Sequence, residues 1–252
     1  MPRIELDIVD SVAHLHLSRP EALNALDQAL LSEFEQAIEK VRESPASVLI
    51  TKGRGRAFSA GSDLKELAGC SPDEAGRLET EHHRVFSQLD QLPQITVAAW
   101  CGHVLGGGLF LGIYHDFRVA SQGAKIELPE IVHGWTPPWG ISRLVELLGF
   151  QAARRLLLTD FRLDGRSAEQ LGLVDASWTD DEFDEQTRQW VQHLAARPSA
   201  ALTQTKQLLR EMRWLDHQHW DQRAGKAFER CWDTPSAQEA VERFVERRDR
   251  SR

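Results

Sequence analysis

The stretch CGHVLGGGLF (residues 101–110) contains three consecutive glycines, Gly106, Gly107 and Gly108, in an otherwise apolar segment. A glycine in the interior of an element costs about 0.5–1 kcal/mol relative to alanine, so three in a row indicate a constraint on the backbone. The apolar run ITVAAW (95–100) predicts a buried strand before the glycines, and LFLGI predicts a helix after them. The first N–H groups of such a helix have no partners within it and can bind an anion or an oxyanion. The alternative is a packing turn between helix and sheet, and this stretch alone favours neither.

A second stretch, GRGRAFSAGSDLKEL (53–67), also runs from a predicted strand through small residues towards a helix. Two such turns can direct two N–H donors at one carbonyl oxygen. An oxyanion hole of this kind is worth roughly 3–4 kcal/mol per donor to a transition state. The flanking Arg56 and Lys65 suit phosphate groups, although such cations more often belong to a solvated face. Neither stretch matches the glycine-rich motifs of dinucleotide or nucleoside-triphosphate sites.

The rest of the chain alternates between strand and helix patterns. We predict a hairpin about residues 10–11, strands over 47–53 and 116–121, and amphipathic helices over 26–41 and 78–92. This alternation predicts an α/β fold with crossover connections. From Phe183 onward only helical patterns with charged faces remain, and they predict a helical C-terminal region.

Composition narrows the functional class. The chain has 252 residues and a net charge of −8, which argues against nucleic-acid binding. Its three cysteines form no C-x-x-C pair, which favours a reducing compartment, and we expect a cytoplasmic protein. We find no signal peptide, no apolar run long enough to span a membrane and no metal-ligand spacing.

Five segments together carry a family resemblance. They are SRPEALNALDQALLSEFEQAI (18–38), GRAFSAGSDLKEL (55–67), ITVAAWCGHVLGGG (95–108), LPEIVHG (128–134) and LLLTDFRLDGRSAEQLGLVD (156–175). The chain resembles the crotonase, or enoyl-CoA hydratase/isomerase, superfamily over nearly its whole length. The resemblance implies a spiral of ββα turns over residues 1–195 and a helical oligomerisation region over 196–252, with assembly into trimers or hexamers. It also implies an acyl-CoA thioester as substrate and no separate cofactor, since coenzyme A is part of the substrate.

The resemblance also implies roles for individual residues. The N–H groups of Ser62 and Gly107 would stabilise the oxygen of an enolate, and the backbone around Ala60 would receive the adenine. Arg56 and Lys65 occupy positions at which the family often contacts coenzyme A. Near the end of the chain, RFVERR (243–248) resembles the family's closing basic helix, so we expect Phe244 and Arg247 near a neighbour's coenzyme A.

The chain departs from the family hydratases at one acidic position. Those enzymes carry a glutamate two residues after the last glycine and another in a Pro-Glu pair. Here Glu130 follows Pro129, but Phe110 occupies the first position. A single carboxylate can still move a proton between C2 and C4 of a 3-enoyl thioester, so we favour a Δ3,Δ2-enoyl-CoA isomerase. In this enzyme we expect the Phe110 ring to close the place where a second acid would hold water. The alternatives are a hydratase, a decarboxylase, a thioester hydrolase and a CoA-binding protein without turnover.

Aromatic and histidine side chains near these motifs are further candidates. Trp135 and Trp139, in the stiff loop WTPPWG (135–140), either wall an acyl pocket or form a trimer contact. A histidine could replace the missing acid, because its ordinary pKa lies near neutrality. The histidines near the predicted site are His82, His83, His103 and His133, and each alone is more often structural.

Overall fold

The computed structural model describes residues 2–159, 161–211 and 217–249, apart from the side chains at 217–219, 236 and 247–249. Within these residues the strands are β1 (Ile4–Val9), β2 (Val12–Leu17), β3 (Val48–Gly53), β4 (Ala57–Ser59), β5 (Ile95–Trp100), β6 (His103–Leu105), β7 (Phe117–Ser121), β8 (Lys125–Glu127) and β9 (Ala176–Trp178). The strand predicted over 95–100 has these bounds, and those predicted over 47–53 and 116–121 are confirmed to within one residue. The short strands β4, β6, β8 and β9 were not predicted, because three residues are too few to show a period.

The strands form two sheets. The larger has the order β1-β2-β3-β5-β7-β9 and the smaller the order β4-β6-β8. β1 and β2 pair antiparallel with Val9 opposite Val12, which confirms the hairpin about residues 10–11. The other pairs are parallel.

From β3 onward, successive strands alternate between the two sheets. β3, β5 and β7 each enter the large sheet, and the strand that follows each of them enters the small sheet before the chain turns into a helix. Each repeat is therefore a ββα turn, and the repeats stack as a spiral. This confirms the predicted α/β spiral.

The helices of the described residues are α1 (Gln28–Glu43), α2 (Leu64–Leu67), α3 (Pro72–Phe86), α4 (Gly107–Ile113), α5 (Glu130–His133), α6 (Ile141–Leu158), α7 (Gly165–Leu171), α8 (Phe183–Ala195), α9 (Ser199–Glu211), α10 (His217–Trp232) and α11 (Pro235–Asp249). Asp27 caps α1 by accepting the N–H of Leu30 at 2.9 Å. The helix predicted over 78–92 is α3, which begins earlier because Ser71 and Glu74 form a capping box. It ends earlier as well, and a 3-10 turn (Ser87–Gln91) completes the predicted segment.

Both faces of the large sheet are buried, as is usual for parallel sheets. One face packs against α1, α3 and α4 around Phe34, Phe86 and Trp100, and the other is covered by α8 through Phe183 and Val191. A third apolar cluster joins α10 and α11 to α2 and α3 around Phe228 and Trp232. The predicted helical C-terminal region is thus confirmed, whereas its division from the core at residue 195 and its part in assembly stay predictions. No helix in the described ranges combines the length and the apolar character needed to cross a membrane.

Candidate active site

The small sheet brings three turns of the chain together. Because β4, β6 and β8 are parallel, their carboxyl ends lie at one edge of the sheet. The turn after β4 holds Ser62, the turn after β6 holds Gly107, and the turn after β8 leads to Glu130. The N–H of Gly106 donates to the carbonyl of Glu127 at 3.1 Å and ties the second turn to the third. Residues that are 68 positions apart in the sequence therefore share one small volume.

Backbone hydrogen bonds set the direction of the Ser62 N–H. Leu26 N–H donates to the Gly61 carbonyl at 2.9 Å, and Asp63 N–H donates to the Leu26 carbonyl at 3.0 Å. Successive groups of an extended backbone point to opposite sides, so the Ser62 N–H points away from Leu26 and towards the Gly107 turn. An ideal Cβ placed on Gly107 would lie 3.4 Å from the Ser62 nitrogen. Two amide groups therefore border the same space.

The three glycines each meet a different requirement. Gly106 has φ of +49°, and a Cβ there would lie 2.8 Å from Oε1 of Glu130. Gly107 is the first residue of α4, so its N–H has no acceptor within that helix. A Cβ on Gly108 would lie 2.6 Å from the Ser59 carbonyl oxygen. The glycines allow the backbone to approach both Glu130 and the turn after β4.

A cavity of about 410 Å³ opens at this edge. The site residues predicted from the sequence that line it are Arg56, Ala60, Ser62, Gly107, Glu130, Trp135, Trp139 and Phe244. Its apolar wall adds Leu64, Leu67 and Phe228. Trp135 and Trp139 are buried within this single chain, so the loop that carries them is a cavity wall.

Two of the predicted site residues whose side chains the structure describes, Lys65 and Phe110, do not line the cavity. Lys65 is exposed on α2 outside it. Phe110 is 1% exposed and packs in the core behind Trp139, with ring centroids 5.5 Å apart. Phe110 therefore does not line the cavity, whereas Trp139, which packs against its ring, does; closure of the water site by the Phe110 ring stays a prediction. The side chain of Arg247 lies outside the described residues.

Phe244 was expected near a neighbour's coenzyme A. It is 40% exposed and lies at the cavity of its own chain, because α11 packs back against α2 and α5. Phe244 therefore borders the cavity of its own chain, and its place near a neighbour's coenzyme A stays a prediction.

Glu130 is the carboxyl group at the centre of the site. It is 7% exposed, and its Oε2 atom has no hydrogen-bond partner among the described residues. Burial raises its pKa to about 8, and the nearby charge of Glu79 adds to the rise. Near neutral pH the group therefore holds its proton in the empty cavity and can give it up at slightly higher pH.

Glu79 is a second carboxylate in the same cavity, which sequence reasoning missed. It projects from α3, is 3% exposed and accepts a hydrogen bond from Nε1 of Trp139 at 3.0 Å. Nδ1 of His82 lies 3.7 Å from its Oε2, too long for a hydrogen bond but close enough for an ion pair. Burial opposes its charge, but His82, Ser62 and Trp139 outweigh burial and lower its pKa.

A pattern in the sequence marks Glu79 and His82. They fall on the buried face of α3, with Ala75 and Phe86, at the spacing of an amphipathic helix. Ionisable residues on an apolar face are rarely buried without a partner. Two of them three positions apart on such a face are a signal that could have found the pair.

The histidines divide into cavity and non-cavity positions. His133 lines the cavity, stacks on Trp135 at 5.3 Å between centroids and has its pKa lowered by burial. His82 lies behind Glu79, and although burial disfavours its charge, Glu79 raises its pKa. His83 and His103 do not line the cavity. No cluster of three potential metal-ligating side chains is found among the residues that the structure describes.

Comparison with known proteins decides the family. A family model described as "Enoyl-CoA hydratase/isomerase" matches residues 7–251. The chain belongs to the enoyl-CoA hydratase/isomerase family. The chain is 30% identical to the crotonyl-CoA hydratase of Syntrophomonas wolfei over 248 residues, covering 97% of this chain and 95% of the relative. It is 37% identical over 175 residues to an enoyl-CoA isomerase/hydratase of Mycosarcoma maydis, covering 65% and 64%.

Solved structures of the same family share the fold. An enoyl-CoA hydratase from Mycobacterium smegmatis superimposes with a TM-score of 0.88 at 25% identity, covering 98% of this chain and 90% of that one. The crotonase resemblance seen in the sequence is thereby confirmed. The names of these relatives include both hydratase and isomerase activities.

Proposed function

We propose that this member of the family binds an acyl-CoA thioester and isomerises 3-enoyl-CoA to 2-enoyl-CoA through an enolate. The observation that carries the proposal is the placement of Glu130, whose unpartnered Oε2 lies in an apolar-walled cavity bordered by the Ser62 and Gly107 amides. A carboxylate and two N–H donors around one space fit a reaction that removes a proton next to a carbonyl group.

The reaction follows from these groups. The thioester oxygen accepts the N–H groups of Ser62 and Gly107. Ionised Glu130 takes a proton from C2, and the electron pair of the C–H bond moves to the oxygen to form the enolate. Glu130 then returns the proton to C4, the double bond shifts to C2–C3, and the oxyanion reverts to a carbonyl group. Both amides are fixed by the backbone, so they stabilise the developing charge without rearranging.

The cavity walls fit an acyl-CoA. Leu64, Leu67 and Phe228 provide apolar surface for an acyl group and exclude water, which strengthens the N–H contacts to the enolate oxygen. Exposed Arg56 at the cavity suits the phosphates of coenzyme A, and the backbone of Ala60 suits the adenine. The coenzyme enters and leaves as part of the thioester.

The proposal implies a pH dependence. Glu130 must be ionised to accept the C2 proton, and burial together with the charge of Glu79 raises its pKa to about 8. We expect kcat/KM for isomerisation to rise as the pH rises through about 8, because kcat/KM reports the pKa of the essential base in the free enzyme.

The test compares Glu130→Gln with the matched control Glu127→Gln, which removes a partly exposed carboxylate from the preceding strand. Proton NMR follows the double bond of a 3-enoyl-CoA. Glu130→Gln is expected to lower isomerisation at least ~100-fold, the low end for general acid–base catalysis. The control is expected to retain wild-type turnover, and retention of activity within tenfold by Glu130→Gln would overturn the proposal.

A further inference from the structure

The proposed isomerisation uses one carboxylate and leaves Glu79 without a role. This residue is 3% exposed yet lines the same cavity as Glu130. A buried carboxylate is costly unless it is paired and hydrogen-bonded, and Glu79 has both, through His82 and Trp139. An apolar residue at this position of α3 would have completed the wall without that cost.

The surroundings of the two carboxyl groups push them into different protonation states. His82, Ser62 and Trp139 hold Glu79 charged, whereas the Oε2 atom of Glu130 has no hydrogen-bond partner among the described residues and burial keeps this group protonated. The charge of Glu66 also raises the pKa of His82 and supports the cationic form of that ring. The cavity therefore offers one group that accepts a proton and one that donates a proton, which is a recurring arrangement in acid–base catalysis.

We propose that Glu79 is a second catalytic carboxylate, which holds a water molecule and takes its proton as the water adds to C3 of a 2-enoyl-CoA. The proposal rests on the Glu130 and amide roles given under the proposed function. It means that the acid absent at position 110 is supplied from α3 instead of α4. The chain is then both a hydratase and an isomerase.

The step balances with groups already in the cavity. The water oxygen forms a bond to C3, and the water proton passes to Glu79. The C2–C3 π electrons move to the thioester oxygen, where the Ser62 and Gly107 amides stabilise the enolate. C2 then takes the proton of Glu130 as the carbonyl re-forms. A solvent molecule carries the proton from Glu79 to Glu130, and the product is the 3-hydroxyacyl-CoA.

The competing explanation is that Glu79 only anchors the indole of Trp139 to α3. The variant Glu79→Gln separates the two, because glutamine keeps the length and an oxygen acceptor for Trp139 but cannot accept the proton. Since this change leaves buried His82 without its carboxylate, the double variant Glu79→Gln/His82→Gln is made as well. Trp139→Phe is the matched control that removes the hydrogen bond and keeps Glu79.

Hydration by each variant is measured with crotonyl-CoA, as the gain in mass of one water molecule. Isomerisation is measured with a 3-enoyl-CoA by NMR. In the Glu79→Gln variant or the double variant, whichever folds by circular dichroism, we expect hydration to fall at least ~100-fold more than isomerisation. We expect Trp139→Phe to lose far less hydration than Glu79→Gln.

Three results would overturn the Glu79 proposal. They are a parallel loss of both activities, hydration within tenfold of wild type in the variants, and a wild-type enzyme that isomerises without hydrating. These differ from the failure of the proposed function, which would appear as isomerisation that survives Glu130→Gln.

Discussion

Replacement of Glu130 by glutamine should stabilise the fold at alkaline pH while it removes activity. The reason is the burial that raises the pKa of this carboxyl from 4.5 to about 8. The folded chain keeps the Glu130 proton over a pH range in which the unfolded chain releases it. The unfolded state thus binds fewer protons, and wild-type stability falls as the pH rises from 4.5 to 8.

The size of the stability change follows from the pKa values of Glu130 in the unfolded and the folded chain. A tenfold change in proton affinity is worth about 1.4 kcal/mol, so the difference between 4.5 and about 8 corresponds to about 5 kcal/mol once the pH exceeds 8. At pH 5 the same penalty is below about 1 kcal/mol, because this pH lies only about half a unit above the pKa of the unfolded carboxyl. Glutamine carries no such penalty at either pH. The stability advantage of Glu130→Gln should therefore grow by about 4 kcal/mol between pH 5 and pH 9.

Urea unfolding of wild type, Glu130→Gln and the control Glu127→Gln at pH 5 and pH 9 measures this growth. A constant offset, such as the cost of burying the glutamine amide, cancels in the comparison of the two pH values. Titration of all other groups cancels as well, because it is common to wild type and variant. A free energy of unfolding that shifts equally at both pH values would refute the burial of a protonated Glu130.

Three further predictions follow from the site and the fold. Gly107→Pro deletes one N–H at the first position of a helix, where proline is tolerated. It should lose roughly 100-fold more isomerase activity than Gly107→Ala, which adds a similar Cβ but keeps the N–H. Equal losses of activity in the two variants would contradict the role of the Gly107 amide. Phe110→Glu buries a carboxylate in the core beside Trp139, so it should lower the free energy of unfolding by several kcal/mol without adding an acid to the site. A stable variant with increased hydration activity would contradict the core position of residue 110. Light scattering at micromolar concentration should show a trimer or hexamer, and a monomer would contradict the family expectation of assembly.

The parts of the fold that the sequence predicted are those with a clear period or a clear boundary. The strand over 95–100 is apolar except for Thr96 and is buried along its whole length, so its pattern is unambiguous. The small sheet was missed because its strands have three residues each and are defined by pairing with distant strands. Ser62, Gly107 and Glu130 could nevertheless be predicted as a group, because each lies in a turn whose motif is local.

Glu79 and Phe110 show the limit of motif reasoning. The glycine motif does not reveal that the ring of Phe110 packs against Trp139 in this chain. Nor does it reveal that α3 delivers a carboxylate to the same cavity, since that depends on how α3 packs against the loop over 135–140. The contact between Glu79 and Trp139 joins segments 60 residues apart in the sequence, so neither segment alone predicts it.

The position of Trp139 links the chemistry to the C-terminal helices. Its indole N–H bonds Glu79 on one side, and the N–H of the next residue, Gly140, donates to Asp221 of α10 at 2.7 Å. Gly140 has φ of +79°, and a Cβ there would lie 2.3 Å from the Phe110 ring, so this point of the loop has little freedom to shift. The loop is thus held between the core and α10, and the direction of the Glu79 carboxylate depends on the docking of this C-terminal helix. It follows that loss of the α10 contact should reduce hydration before it reduces isomerisation, because the turns that hold Ser62, Gly107 and Glu130 follow the strands of the small sheet.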